Sequence, residues 1–188
     1  MRGLTQPQRR WLVVSALTCI ALSACGPPPA SKPPAYQTIA WGSLVAKGWD
    51  PLKPYRSINF DTLSDSDPRT AALQQAMRET WRNAPSNADL QGAAVRIAGY
   101  VVPLQGSAAG MQAGIQTFLL VPYFGACIHM PPPPSNQVIL VQPKQPATGF
   151  RAMDSVWVSG TLEREHSDSV MGASSWRMAA DEVHRAAP

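Results

Sequence analysis

The sequence predicts a mainly β protein with one helix before the strands (α+β), built as a small, partly open five-stranded barrel of the oligonucleotide/oligosaccharide-binding (OB) type. Two observations lead to this fold class. Residues 67–84 carry the start and stop signals of a helix, and residues 92–188 contain five segments rich in β-branched and aromatic residues. A β-sandwich is the alternative.

The first 24 residues have the pattern of a secretory signal peptide. Arginines precede an uncharged run at 11–22, which is too short to span a bilayer. The run ends in LSAC at Cys25, which resembles the lipobox of bacterial lipoproteins and implies lipidation of Cys25. Because Gly26 follows, the resemblance favours a lipid anchor in the outer membrane, facing the periplasm. An ordinary signal with a chance cysteine is the alternative.

The charge of the chain depends strongly on this segment. The whole chain has 16 Lys and Arg against 12 Asp and Glu, and removal of the three arginines of the signal leaves 13 against 12. The mature protein is therefore nearly neutral, and its composition does not predict nucleic-acid binding.

Residues 25–40 are predicted to form the lipid-anchor cysteine and a Pro-rich tether, and the Pro-rich part at 26–36 could reach roughly 30 Å at about 3.1 Å per residue. Residues 41–188 are predicted to be a single globular domain. Within it, 41–66 form an irregular arm rich in aromatic residues. We expect this arm to lie on the domain, because so many large apolar groups would not stay in water. A partner-binding arm is the alternative.

The helix follows the arm. Asp67 is suited to cap its first turn and Pro68 to occupy its first position. Apolar and small residues recur on one face, which predicts packing against the core. These are Ala72, Leu73, Ala76, Met77, Thr80 and Trp81.

The predicted strands lie at 93–104, 116–122, 137–141, 155–165 and 174–183, paired in one curved sheet. Gly99 and Gly160 interrupt the two longest, where a bulge or a barrel corner is expected.

The strongest candidate site follows the second strand, in FGACIHMPPPPSNQ. Cys127 and His129 are two residues apart, so in an extended segment their side chains would point to the same side. The four prolines that come next stiffen the exit from this segment. With Cys19 removed and Cys25 acylated, Cys127 is the only thiol of the mature protein, so it must be buried, ligated or reactive.

Three interpretations remain open for this pair. Cys127 and His129 have the ligand character that Zn(II) or Cu(I) prefers, but a tight site needs further ligands. Candidates are His166, His184 and the carboxylates of Asp181 and Glu182. Alternatively, Cys127 is a redox or acyl-transfer thiol activated by His129, or a buried structural residue.

The same stretch supplies the candidate walls of a solvent-reachable pocket. They are Tyr123, Phe124, Pro131, Pro132, Pro133, Pro134 and Asn136. The sequence contains no phosphate loop and no serine nucleophile elbow.

The runs VRIAGYVVPL, FLLVPYFGACIHMPPPPSNQ and VWVSGTL resemble the bacterial secreted and lipid-anchored proteins of the domain-of-unknown-function 3299 family. The resemblance centres on Cys-x-His-x-Pro-Pro-Pro-Pro-x-Asn-Gln, and it implies no established activity. We therefore predict a non-enzymatic envelope lipoprotein that binds Zn or Cu through Cys127 and His129. Such a protein would assist metal homeostasis or an envelope transporter. The alternative is a partner-binding accessory subunit of an envelope complex, with Cys127 structural.

Overall fold

The computed structural model describes residues 35–59, 63–64, 66–104, 114–127 and 132–186. The predicted signal peptide, Cys25, His129 and Pro131 lie outside the described residues. Within these ranges, besides four short 3₁₀ helices, the structure has one α-helix and six strands. They are β1 (Gln37–Thr38), α1 (Pro68–Arg82), β2 (Ala94–Pro103), β3 (Phe118–Val121), β4 (Ile139–Pro143), β5 (Ser155–Ser169) and β6 (Gly172–Arg185). Among the described residues, no helix combines the length and apolar character needed to cross a bilayer.

The sheet is a nearly closed ring. Its strands follow the order β1-β2-β3-β4-β6-β5, and β5 also pairs with β2. The β4–β6 pairing is parallel, whereas β2–β3, β3–β4, β5–β6 and β2–β5 are antiparallel. This arrangement confirms the prediction of a mainly β, partly open barrel with one helix before it. The short β1 is an added sixth strand, which pairs in parallel with Val95 and Arg96 of β2.

Both interrupting glycines lie where the ring bends. The register between β5 and β6 shifts between Ser159 and Gly160, as expected of a bulge. Gly99 lies just before Tyr100, which pairs with both Ser155 of β5 and Val121 of β3. β2 therefore turns from one neighbour to the other at this point.

β3 is buried on both faces, which divides the core into two clusters. Phe118 and Leu120 belong to the larger cluster, together with Trp176 and Met178 of β6. Leu119 and Val121 point the other way, into a smaller cluster. That cluster contains Val102, Ala126, Val138 and Leu140, with Cys127 packed against it. In OB barrels the face of the second and third strands binds ligands. Here, apolar residues of the chain itself cover the corresponding β3–β4 face.

The helix begins and ends where the sequence predicts. The Asp67 carboxylate accepts a hydrogen bond from the backbone N–H of Arg69 (2.8 Å), and Pro68 occupies the first turn. However, no residue of α1 is fully buried. Met77 and Trp81 are only half-buried, so the expectation that this face packs into the core is wrong. The face borders an open groove instead.

Candidate binding groove beside the Cys-His-Pro motif

Cys127 does not have the extended backbone that the sequence pattern assumes. Its φ is 63°, in the left-handed region, and Gly125 two residues earlier has φ 85°. A non-glycine residue in this region stores roughly 1–3 kcal/mol of strain and persists only where its surroundings hold it. The chain therefore turns at Cys127, so the expectation that an extended backbone points Cys127 and His129 to the same side is wrong at Cys127.

The sulfur of Cys127 lies against the turn between β5 and β6. A Cβ added to Gly172 would be 3.8 Å from Cys127 Sγ and 3.1 Å from Cβ of Pro132. Cys127 is half-buried, and burial raises the pKa of its thiol to about 11. The thiol is therefore protonated at neutral pH, and a metal would have to displace that proton.

The other candidate ligands lie apart from one another. His166 Nε2 is 3.5 Å from Asp168 Oδ1, and His184 Nε2 is 3.3 Å from Glu182 Oε2. His184 pairs with Trp157, which is nine residues from His166 along β5. At about 3.3 Å per residue, this separation is too great for one metal ion. Within the described ranges, no three His, Cys, Asp or Glu side chains are grouped as a metal site requires.

Asp181, another candidate ligand, accepts a hydrogen bond from Tyr36 Oη (2.7 Å) and pairs with Lys144. These contacts, with Lys144 the larger contribution, lower the pKa of Asp181. Its carboxylate therefore joins the N-terminal segment to β4 and β6.

Tyr123 and Phe124 lie on the surface near Cys127. Their side chains are 38% and 64% exposed, and Phe124 meets Tyr100 edge-on with ring centroids 5.9 Å apart. By contrast, Asn136 is fully buried, and its Nδ2 donates to the backbone oxygen of Pro85 (2.9 Å). Asn136 therefore joins the end of the motif to the segment that follows α1.

Ser135 makes a second connection at the end of the motif. Its hydroxyl is 2.7 Å from that of Ser175 in β6, and Ser175 Oγ donates to the backbone oxygen of Ala84 (3.2 Å). Together these contacts hold the proline segment between β6 and the end of the helix.

A groove of about 540 Å³ separates α1 from the proline segment and the β5–β6 turn. Residues one turn apart on the helix form one wall: Gln74, Met77, Arg78, Trp81 and Arg82. Pro132, Pro133, Asp168, Gly172 and Ala173 are on the opposite wall. The groove thus brings together two of the predicted wall residues, Pro132 and Pro133. Tyr123, Phe124, Pro134 and Asn136 do not line it.

Charged groups lie at the edge of this apolar groove. Arg82 crosses it to Asp168, with 2.6 Å between Nη2 and Oδ2, and this hydrogen bond is the main reason that the pKa of Asp168 is lowered. Arg78 forms no ion pair, and Gln74 no side-chain hydrogen bond, with any described residue. The groove therefore has one matched ion pair, one unmatched cation and one unpaired amide.

Trp81 is the largest apolar group of the helical wall. Its Nε1 is buried and has no hydrogen-bond partner among the described residues. A buried donor without an acceptor costs about 1–3 kcal/mol. At the groove, the packing of the helix on the barrel thus leaves this buried hydrogen-bond donor without an acceptor among the described residues.

The apolar stripe of α1 predicts that Met77 and Trp81 are core residues, and the sequence pattern does not single out Gln74, Arg78, Arg82 or Asp168. The available signal was the spacing of arginines beside an apolar stripe, at Met77-Arg78 and Trp81-Arg82. That spacing alone is typical of any surface helix. The opposite wall comes from two distant segments, so only the fold shows the groove.

Comparison with known proteins agrees with this architecture. The family model described as "Protein of unknown function (DUF3299)" matches residues 41–185. A crystal structure of a DUF3299 family protein from Pseudomonas aeruginosa PAO1 is similar, with 33% sequence identity and a TM-score of 0.61. The alignment covers 82% of this chain and 99% of that one. No curated protein sequence matches the chain. The chain therefore belongs to the DUF3299 family.

Proposed function

We propose that this protein is a non-catalytic accessory subunit of an envelope complex, which holds a segment of a partner protein in the groove between α1 and the proline segment. Its lipid anchor would be Cys25, in the outer membrane and facing the periplasm. The observation that carries the proposal is the open apolar groove of about 540 Å³. This volume lies within the range of about 300–1,000 Å³ that is typical of ligand sites.

The chemistry of the groove favours binding over catalysis. A general acid or base works best with a pKa near the operating pH. The pKa of Asp168 is lowered by Arg82, and the pKa of the nearby Cys127 thiol is raised to about 11, so both are shifted away from neutrality. Met77, Trp81 and Pro132 instead offer apolar surface, which favours association with another apolar surface.

Site-specific photo-crosslinking in intact bacteria tests the proposal. A photo-crosslinking amino acid at position 74, on the edge of the groove, should give a discrete light-dependent product with a partner. The same amino acid at position 151, which is exposed and does not line the groove, is the matched control. Met77→Arg should remove the product by filling the groove. Equal products at both positions, or products that survive Met77→Arg, would contradict the proposal.

Binding of Zn or Cu by Cys127 and His129 is a second candidate function, with an envelope transporter as the partner. The observation that favours it is the left-handed backbone at Cys127 (φ 63°), because strained residues of this kind concentrate at functional sites. The protonated thiol opposes it. Metal analysis of the wild-type protein beside Cys127→Ser distinguishes the two candidates.

A further inference from the structure

We infer that the occupant of the groove is a peptide segment with an acidic side chain among apolar residues, bound by Arg78 and Gln74. This inference rests on the proposed function and gives the chemistry of the partner. It depends on three features of the groove: its unmatched charge, its unpaired amide and its apolar surface.

The positive charge of Arg78 at the edge of the groove favours an occupant that carries an acidic group. Arg82 and Asp168 neutralise each other at 2.6 Å, whereas Arg78 has no acidic partner among the described residues. Arg78 follows Gln74 by one helical turn, so both side chains lie along the same edge. A guanidinium can bind a carboxylate with two parallel hydrogen bonds, and it excludes a basic occupant by repulsion.

The amide of Gln74 favours a peptide over an acyl chain. Each peptide unit carries one donor and one acceptor, and a glutamine side chain can satisfy both. Gln74 is exposed, so water satisfies its amide in the free protein, and an acyl chain, which has neither group along its length, would gain no hydrogen bond from it. A fatty acid could match Arg78, but it could not use Gln74 as well.

The apolar surface between the walls suits short side chains of varied shape. Met77 is unbranched and adapts to different neighbours, and Trp81 presents a large ring. On the opposite wall, Pro132 and Pro133 give a rigid surface that loses little conformational entropy on binding. The groove therefore accommodates apolar residues on either side of the acidic one.

Selection from a random heptapeptide phage library tests this inference. The bait is the full lipid-anchored chain in nanodiscs, and each enriched peptide is then measured for binding to Met77→Arg. The enriched peptides should carry Asp or Glu flanked by apolar residues. With Arg78→Glu as bait, binding of these peptides should weaken on the order of tenfold, and Lys or Arg should replace the acid. Arg151→Glu, an exposed arginine outside the groove, is the matched control and should leave the selection unchanged.

The other outcomes separate the inference from the proposed function. Peptides that need Met77 but show no acidic preference would overturn the inference and leave the groove as the binding site. Peptides unaffected by Met77→Arg would overturn both. Failure to enrich any peptide also overturns the inference. Binding of oleate overturns it as well, if Met77→Arg abolishes that binding, and so does self-association of the chain that is lost in Met77→Arg. These last two results would assign the groove to an acyl chain or to a second copy.

Discussion

The indole of Trp41 lies directly against Gly99. Trp41 Nε1 donates to the backbone oxygen of Ala98 (2.7 Å), and a Cβ added to Gly99 would be 2.8 Å from Cζ2 of Trp41. Leu44, in the same arm, is fully buried in the larger core cluster. This part of the arm therefore packs on the barrel, and the absence of a side chain at Gly99 leaves space for the indole.

Gly99→Ala should lower the free energy of unfolding by about 1–3 kcal/mol, because the new Cβ would also be 2.8 Å from the backbone oxygen of Val121. Chemical denaturation of the wild type and of Gly99→Ala measures the effect. Gly42→Ala is the control, since a Cβ there would have no neighbour within 4 Å. That variant should be neutral or stabilising by up to about 1 kcal/mol. Equal stability of the two variants would contradict the prediction.

Alkylation of Cys127 should be slow at neutral pH and should accelerate as the pH rises towards 11. The cause is burial, which raises the pKa of the thiol from 9.0 to about 11 and so disfavours the thiolate. Because the thiol has a higher pKa in the folded state than in the unfolded chain, the free energy of unfolding should fall as the pH rises from 9 to 11. The rate of iodoacetamide modification as a function of pH, measured on protein that starts after Cys25, reports the pKa of the Cys127 thiol. Cys127→Ser is the blank. A rate plateau below pH 8 would refute the raised pKa.

Metal binding, if Cys127 and His129 provide it, should weaken as the pH falls, because protons compete for the thiolate and the imidazole. Relative to an ordinary thiol, the raised pKa lowers the thiolate fraction at neutral pH by about 100-fold. Cys127→Ser should abolish binding, whereas His166→Ala or His184→Ala should weaken it only if that residue completes the site. Wild-type protein that retains no more Zn or Cu than Cys127→Ser would exclude the metal function.

Acid should loosen the helix at the groove. The pKa of Asp168 is lowered from 3.8, chiefly by the hydrogen bond from Arg82. The stabilisation by this pair is therefore present above pH 3.8 and is lost as the pH falls through the lower folded-state pKa. Hydrogen exchange of the α1 amides should become faster at pH 5 in Asp168→Asn than in wild type. The difference should shrink in strong acid. Asp89→Asn, which breaks the exposed pair with Lys47 instead, is the control.

Cys25→Ala should release the protein from the membrane or stall its processing, because the acyl chains would supply the attachment. Membrane fractionation of cells that express the variant measures this. A variant that still sediments with the outer membrane would show that Cys25 is not the anchor.

The sequence predicted those features of the fold that depend on local patterns. Asp67 and Pro68 mark the helix start because capping involves only neighbouring residues, and the helix indeed spans Pro68–Arg82. The alternation in 93–104 and the glycine at 160 likewise predicted a strand and a bulge. β1 was missed because two residues after a Pro-rich segment carry no periodicity.

The candidate site was less predictable, because its geometry depends on distant contacts. The motif identified Pro132 and Pro133, but the sequence could not show that Cys127 adopts a left-handed backbone against Gly172. Nor could it show that Met77 and Trp81 border a groove, because an apolar stripe looks the same whether a core or an empty cleft faces it.

The sequence by itself determined the order and type of the helix and the five longer strands, since capping, periodicity and turn residues act over a few positions. The tertiary structure decided which segments meet. Arg82 and Asp168 are 86 residues apart along the chain, and their 2.6 Å contact exists because the ring of strands carries the β5–β6 turn back to the helix. The charge of the groove is therefore a property of the fold, because no local pattern encodes which distant residue an arginine will meet.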